Sequence, residues 1–448
     1  ACFKGDRFTG QIYEEFKQGS GAPDADFIIY IATMYDSNCG SNETVAFAAH
    51  CMQSLETGRP LAGHTNICPN QLIRRPRNHH FLLSTLKHEL AHALGMSASL
   101  FGSFRDENGR KMPKSDVVQS FTFADWYTRL GPVNHTVSYI VTPNVKKYAR
   151  QHFNCSTLIG AELENQGSQG TAGTHWEKRV FENEGMAGTH TQNPVYSGLT
   201  LAIMQDTGWY EVEHSLAENL HWGKNLGCDF AQKSCAFWIR SRRDRNESIE
   251  PFCDIVKPKD QKATRTRCTL DMNSVSQCTL VEYEEDLPIE YQIYDSLPDV
   301  DPELIGRYGG SVSLADYCPY QQEFEWKASR NNRIRDSRCF LTENTPDRNI
   351  NFAMEEYGPR SKCFLHGNTS WIMKKCSHFT QNVISTSGCH EFLCQDGLLW
   401  ITLLNQTYKY PCFKDGQKIS IRKIWRGWAH EGMIICPSCP SICGDKAD

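Results

Sequence analysis

No apolar run in this 448-residue chain approaches the ~20 residues that a membrane-spanning helix needs, so the sequence offers no transmembrane helix. Charge of one sign is lacking too: 47 Lys and Arg stand against 52 Asp and Glu, interspersed, for a net charge of −5. That balance gives no basic stripe for a nucleic-acid partner. The clusters Arg240 to Arg245 and Lys262 to Arg267 are short and read as solvated loops. Arg422, Lys423 and Arg426, in a predicted strand region, are too few to form a binding stripe. No glycine-framed serine elbow appears, which removes the main nucleophilic rival among hydrolases. There is no internal repeat. The chain opens on Ala1 without a secretory leader, so the expectation is a start that is missing or processed. The polar end, Ile442 to Asp448, lacks the apolar tail of a lipid-anchor signal: the chain is freely secreted, or that tail has been removed.

What is abundant is cysteine. Twenty are too many for a reduced cytosolic protein, and the even count allows up to ten disulfides in an oxidising compartment. Five lie between Cys2 and Cys155, and fifteen between Cys228 and Cys443. Six Asn-x-Ser/Thr sites, at Asn42, Asn134, Asn154, Asn246, Asn368 and Asn405, add to the extracellular reading. Cys436, Cys439 and Cys443 read as disulfide partners rather than a zinc cluster.

The strongest chemical signal is His88-Glu89-Leu90-Ala91-His92. Apolar residues at 82, 83, 86, 90, 93 and 94 follow helical spacing. On a helix, positions i and i+4 share a face, so His88 and His92 can hold one metal ion between them. Glu89, about 100° around the axis, can reach a water there without taking a coordination position. Two imidazoles and a nearby carboxylate base are the layout of a zinc hydrolase. Gly95, three residues after His92, is placed to turn the chain and end the helix.

Asp26 to Ala32 reads as a buried strand and Leu61 to Cys68 as a second, weaker one. Strand, strand, then helix is an α+β arrangement. The 61–68 strand, at a cleft edge, could pair with an extended peptide; His64 on it reads as a strand-face residue. Pro143 to Phe153 has a helical pattern, and Val195 to Gly208 reads as a further helix with Gly208 as its stop. From about Cys228 short strands, turns and cysteines dominate. Leu398 to Leu404 and Ile419 to Ile424 look like strands of one sheet, in a disulfide-stapled, mostly β domain.

A catalytic zinc usually has three protein ligands. The compact metzincin motif would place a third histidine at position 98, but Ala98 stands there. His135, His152, His175, His190, His214 and His221 are all candidates, and spacing alone does not choose among them. The run Lys87 to Gly95 resembles the zinc helix of the leishmanolysin family, which includes the animal invadolysins. That family places a long insertion between the glycine and the third histidine. Ala161 to Gly167 and Gly173-Thr174-His175-Trp176-Glu177-Lys178-Arg179 match the stretch after it. Further matches are Gln205 to Tyr210, Trp222 to Cys228 and Cys436 to Gly444. Likeness to the animal branch is the stronger, through His175 to Arg179. The family's catalytic region carries more chain before this helix than the 87 residues that precede His88.

The resemblance implies His175 as third ligand to Zn2+ and Met186, in Asn183 to Gly188, as the methionine of the turn beneath the metal. Without it, Met186 is core filler in a polar turn, and His190 carries no role. It also implies an α+β, metzincin-type zinc protease catalytic region followed by the disulfide-rich β domain. The expected divisions are 1–95 with the zinc helix, 96–228 with the third ligand and Met-turn, and 229–448. The expected activity is peptide-bond hydrolysis by a zinc-activated water with Glu89 as general base. Protein or peptide substrates, extracellular-matrix proteins among them, and a secreted or cell-surface setting go with it. The alternative is an adhesion or matrix-binding protein on a protease-like scaffold; nothing in the sequence fixes an oligomeric state.

Overall fold

The computed structural model describes residues 4–5, 12–13, 22–35, 39, 44–70, 79–167, 170–189, 191–256, 265–327, 334–347, 349–367, 370–375, 380–383 and 385–444. The chain divides into two compact units, one of residues 1–126, 132–190 and 194–233, the other of 127–131, 191–193 and 234–448. His190, Asn42, Asn368, Cys2 and Lys262 lie outside the described residues. The sequon residues Asn134, Asn154, Asn246 and Asn405 are all exposed. No helix among the described residues is long and apolar enough to cross a membrane.

The first unit opens with strands β1 (Ile28–Ala32), β2 (Ala46–Gln53) and β3 (Pro60–Ile67) in the order β1-β3-β2. β1 runs parallel to β3 and β2 antiparallel to it. This corrects two expectations. The 61–68 strand is the buried centre of its sheet, not an edge. The 26–32 strand is not buried: it is an edge, with Tyr30 and Ile31 exposed by 41 % and 60 %. β2 escaped notice because Ala46-Phe47-Ala48-Ala49-His50-Cys51-Met52-Gln53 has one aromatic and no β-branched residue. Pairing with β3, not intrinsic preference, makes it a strand.

Helix α1 (His79–Leu94) packs against β2 and β3. Its most buried positions include Phe81, Thr85, Glu89 and Ala93, a four-residue repeat that differs from the apolar pattern. Leu83 and Leu90 sit on the exposed side, at 56 % and 36 %. The helix therefore turns polar groups inward, which only a site or partners for them would justify. It ends at Leu94, where Gly95 N and Met96 N both donate to Ala91 O. Gly95 matters less as a turn than as a gap: a Cβ there would lie 2.9 Å from Met204 Sδ.

Strands β4 (Val118–Thr128), β5 (Gly131–Ile140) and β6 (Ala161–Leu163) form a second sheet. Helix α2 (Pro143–Phe153) follows β5, and α3 (Lys178–Phe181) and α4 (Gly198–Asp206) come later. Asp206, at the end of α4, accepts from Asn144 N and Val145 N at 3.0 Å each. It thus satisfies orphan donors in the first turn of α2. Gly208, at φ +73°, follows as the predicted stop.

The second unit begins with helix α5 (Cys235–Asp244), which carries most of the Arg240 to Arg245 cluster. That cluster is helical rather than loop. Arg240, Arg242, Arg243 and Arg245 pair with Asp295, Glu247, Asp254 and Glu247. The unit is dominated by β7 (Thr266–Cys268), β8 (Val275–Cys278), β9 (Gln321–Glu323), β10 (Ser361–Leu365), β11 (Trp371–Lys374), β12 (Thr380–Val383), β13 (Ser387–Gln395), β14 (Leu398–Leu403), β15 (Tyr408–Cys412), β16 (Lys418–Trp425) and β17 (Trp428–Ile435). The last eight make one sheet, β12-β11-β17-β10-β13-β14-β15, with β16 on β17. The 398–404 and 419–424 segments do share this sheet.

Disulfides Cys39–Cys68 and Cys155–Cys228 belong to the first unit. Cys235–Cys318, Cys253–Cys278, Cys268–Cys363, Cys339–Cys389, Cys394–Cys443 and Cys412–Cys436 belong to the second. Cys51 is disulfide-bonded as well. Cys439 carries a free thiol, so that expected disulfide partner is corrected. Cys228, grouped by composition with the late cysteines, reaches back to Cys155.

Two buried histidines meet nitrogen to nitrogen in this unit, their rings tilted by 56°, with His366 Nε2 at 2.8 Å from His390 Nε2. Ser385 Oγ donates to Ser387 O and so accepts from His366 Nδ1–H. His366 Nε2 must then accept from His390, whose Nδ1 has no hydrogen-bond partner among the described residues. Burial holds His390 down to about 3 and His366 well below the usual histidine range. Both stay neutral in the fold yet take protons once unfolded, so their contribution is present above pH ~6.5 and is lost as pH falls below it. Nearby Glu355, pushed by burial up to about 7, works in the opposite sense and offsets one of them. Net, the unfolded state binds about one proton more between pH ~6.5 and ~4.5, or ~1.4 kcal/mol per pH unit. Urea unfolding of this unit, read by amide exchange in β13, is expected to show lower stability at pH 5 than at pH 7. Equal stability at both would contradict the neutral pair.

Candidate metal centre

One group of three or more metal-capable side chains stands out among the described residues: His88, His92 and His175. Helix α1 supplies the first two. The third is delivered by a backbone weave. β6 leads into Glu164, whose N–H donates to His175 O at 2.9 Å, and Trp176 N donates to Met186 O at 3.0 Å. Trp176 bridges Leu163 on one side and Ala187 on the other. Buried Arg179, in α3, pairs with buried Glu162 of β6 at 3.1 Å, fixing the register of that weave.

The three Nε2 atoms lie 3.1, 3.1 and 3.0 Å apart. Each ring turns its other nitrogen to a carbonyl: His88 Nδ1 to Gly185 O at 2.7 Å, His92 Nδ1 to Met96 O at 2.6 Å, and His175 Nδ1 to Thr171 O at 2.9 Å. Carbonyl oxygens only accept, so each Nδ1 must carry its ring's proton. Every Nε2 is then a bare lone pair, and three lone pairs point at one spot. Without a cation they repel; with one they are ligands. A triangle with ~3 Å sides accommodates nitrogens each ~2.0–2.1 Å from a single ion. Burial holds His92 well below the ordinary range, and His175 down to about 3, with the neighbouring rings adding to it. The trio therefore stays in the neutral, ligating form.

Glu89 is buried beside the triad, at 6 % exposure. Desolvation pushes its carboxyl up to about 8. A cation at the adjacent rings acts in the other direction and favours the carboxylate. Met186 is fully buried in its turn.

The remaining candidates go elsewhere. His135 stacks on Trp126 and meets Asn165. His152 bonds Trp222 O, His214 bonds Gln205, and His221 is exposed. Composition carried no trace of the carbonyl acceptors, because backbone partners have no residue signature.

The family model described as Leishmanolysin matches residues 8–448. The chain belongs to the leishmanolysin family of peptidases. A leishmanolysin-like peptidase from Drosophila pseudoobscura pseudoobscura is 45% identical over 97% of this chain and 66% of its own length. Another, from Caenorhabditis elegans, is 43% identical over 95% and 67%. A leishmanolysin homolog from Crithidia fasciculata is 31% identical over 67% of this chain and 39% of its own. The chain thus spans about two thirds of the length of its animal leishmanolysin relatives. Membership in this family of metallopeptidases implies a bound metal, and the three histidines are a donor set that fits one.

Tyr196 closes the site from the side. Its hydroxyl donates to Ser84 O in α1 at 2.8 Å. A Cβ on Gly185 would meet the Tyr196 ring at 2.7–2.9 Å. Gly185→Ala should therefore force that ring out and destabilise the first unit by about 1–3 kcal/mol. Chemical denaturation would read this as a lowered midpoint; an unchanged midpoint would show that the ring is not held there.

Proposed function

We propose that this chain is a metzincin-type zinc endopeptidase, with His88, His92 and His175 as the metal ligands. The observation that carries the reading is the convergence of three bare Nε2 atoms, each fixed by a carbonyl behind it. Bound zinc supplies Lewis acidity: it lowers the pKa of water toward ~7 and polarises the scissile carbonyl. Glu89 is the general base. It takes a proton from the attacking water and then delivers it to the departing amine. Met186 forms the floor of the site in its turn.

Protein or peptide substrates follow from peptidase chemistry. An extended peptide would add to β2, the open antiparallel edge of the first sheet. Of the two edges β2 is favoured because it packs against α1. Residues 1–95 and 96–228 then act as the two catalytic subdomains, with 229–448 as the disulfide-stapled domain. The bridges and the four exposed sequon residues support a secreted or cell-surface setting. Expressed through a secretory pathway, the protein should lose mass on treatment with an N-glycosidase; an unchanged mass would remove the glycan argument.

The decisive test compares the parent chain with Glu89→Gln and His175→Ala. The parent should bind one zinc and cleave a fluorogenic peptide. Glu89→Gln should keep the zinc and lose ~10²–10⁴-fold in rate, while His175→Ala should lose tight zinc binding. A Glu89→Gln variant at parental rate would show that another group is the base. Unchanged zinc affinity in His175→Ala would remove the third ligand. A zinc-loaded parent inert toward varied peptides would favour the adhesion reading.

A further inference from the structure

The turn that holds Met186 also holds His88, through the carbonyl of Gly185. What holds the turn is Glu184, a buried carboxylate that neither metal binding nor proton transfer uses. Its Oε2 accepts from Met186 N at 2.7 Å. Its Oε1 accepts from Ser197 N at 3.1 Å, Ser197 Oγ at 2.9 Å and Thr200 Oγ1 at 2.7 Å. The two oxygens face different structures. One side ties to the start of α4; the other ties to the turn beneath the histidines. Gly185 sits between, pressed against Tyr196, with its carbonyl 2.7 Å from His88 Nδ1.

We infer that Glu184 is a positioning residue for the metal centre: it anchors the Met186 turn to α4 and so aims the Gly185 carbonyl at His88. The inference rests on the zinc-site reading above. If the turn loses its anchor, Gly185 O can drift and His88 loses the bond that keeps its proton on Nδ1. Its Nε2 is then no longer held as a bare donor toward the ion. Partners of this kind, one bond behind a ligand, typically carry 10–100-fold in metal affinity.

The chemistry allows the two sides of Glu184 to be separated. In Glu184→Gln the amide oxygen can still take the three α4-side donors. The amide nitrogen then faces Met186 N–H, donor against donor. Ser197→Ala does the reverse. It removes one α4-side hydroxyl and the α4 cap that accepts from Leu199 N, and leaves the Met186 bond in place. Zinc affinity is measured by chelator competition on both variants and the parent, with the visible spectrum of the cobalt-substituted forms recorded alongside. Glu184→Gln should bind zinc 10–100-fold more weakly, with a changed cobalt spectrum. Ser197→Ala should lose thermal stability while keeping the parental affinity and spectrum, because Ser197 N and Thr200 Oγ1 still hold Oε1 to α4. Parental zinc affinity in Glu184→Gln would overturn the inference. So would equal weakening in Ser197→Ala, which would reduce Glu184 to a helix cap. A parent that binds no zinc would overturn the metal-site reading and this inference with it.

Discussion

The site depends on where three protons sit. Each histidine of the triad gives its Nδ1 proton to a backbone carbonyl, and the carbonyls come from three separate places: the exit of α1, the loop before His175 and the Met186 turn. Carbonyls cannot flip into donors, so the tautomers are fixed chiefly by backbone geometry, with Thr174 Oγ1 a further contact at His175 Nδ1. Much of the first unit follows from that requirement. The helix must bury polar groups. The segment carrying His175 and Trp176 is woven between β6 and the turn. The turn must be pinned at both ends.

Buried charge is dense around His175. Glu177, Lys178, Arg179, Glu182 and Glu184 are buried within a few residues of His175 or Met186, and Glu162 and Glu164 are buried in and just after β6, which bonds to that segment. Buried ion pairs are a poor source of stability but a good source of register, because only one arrangement satisfies them. The stretch of some eighty residues between His92 and His175, which holds β4, β5, α2 and β6, needs such register, since a slip of one residue would turn His175 away.

How much of this was legible in the sequence varied with the physics. The helix carrying His88 and His92 was plain, because i and i+4 spacing is a property of residues. The late strands at 398–403 and 418–425 were plain for the same reason. The burial of α1 was misread: the apolar positions suggested a face containing Leu83 and Leu90, while the packed face carries Thr85 and Glu89. Chemistry overrode hydropathy there, as it does at functional sites. β2 was invisible, since an alanine-rich segment becomes a strand only when a neighbour pairs with it. The 61–68 strand was found but misplaced, because edge and centre differ in pairing rather than composition. His175 came from resemblance, not spacing; its weave is held by backbone bonds, which leave no mark on residue identity.

The Cys155–Cys228 bridge joins residues 73 apart. Every part of the second half of the site lies inside that span: β6, His175, the Met186 turn and α4. The ring it makes covalently closes the segment that brings the third imidazole to the first two. On a polymer-entropy basis, closing a loop of that size removes ~4 kcal/mol of freedom from the unfolded chain. Opened by a reductant, the unfolded segment would regain that freedom, and ordering it around His175 would cost more. The oxidation state of two sulfurs thereby bears on how readily the third imidazole is held beside the first two.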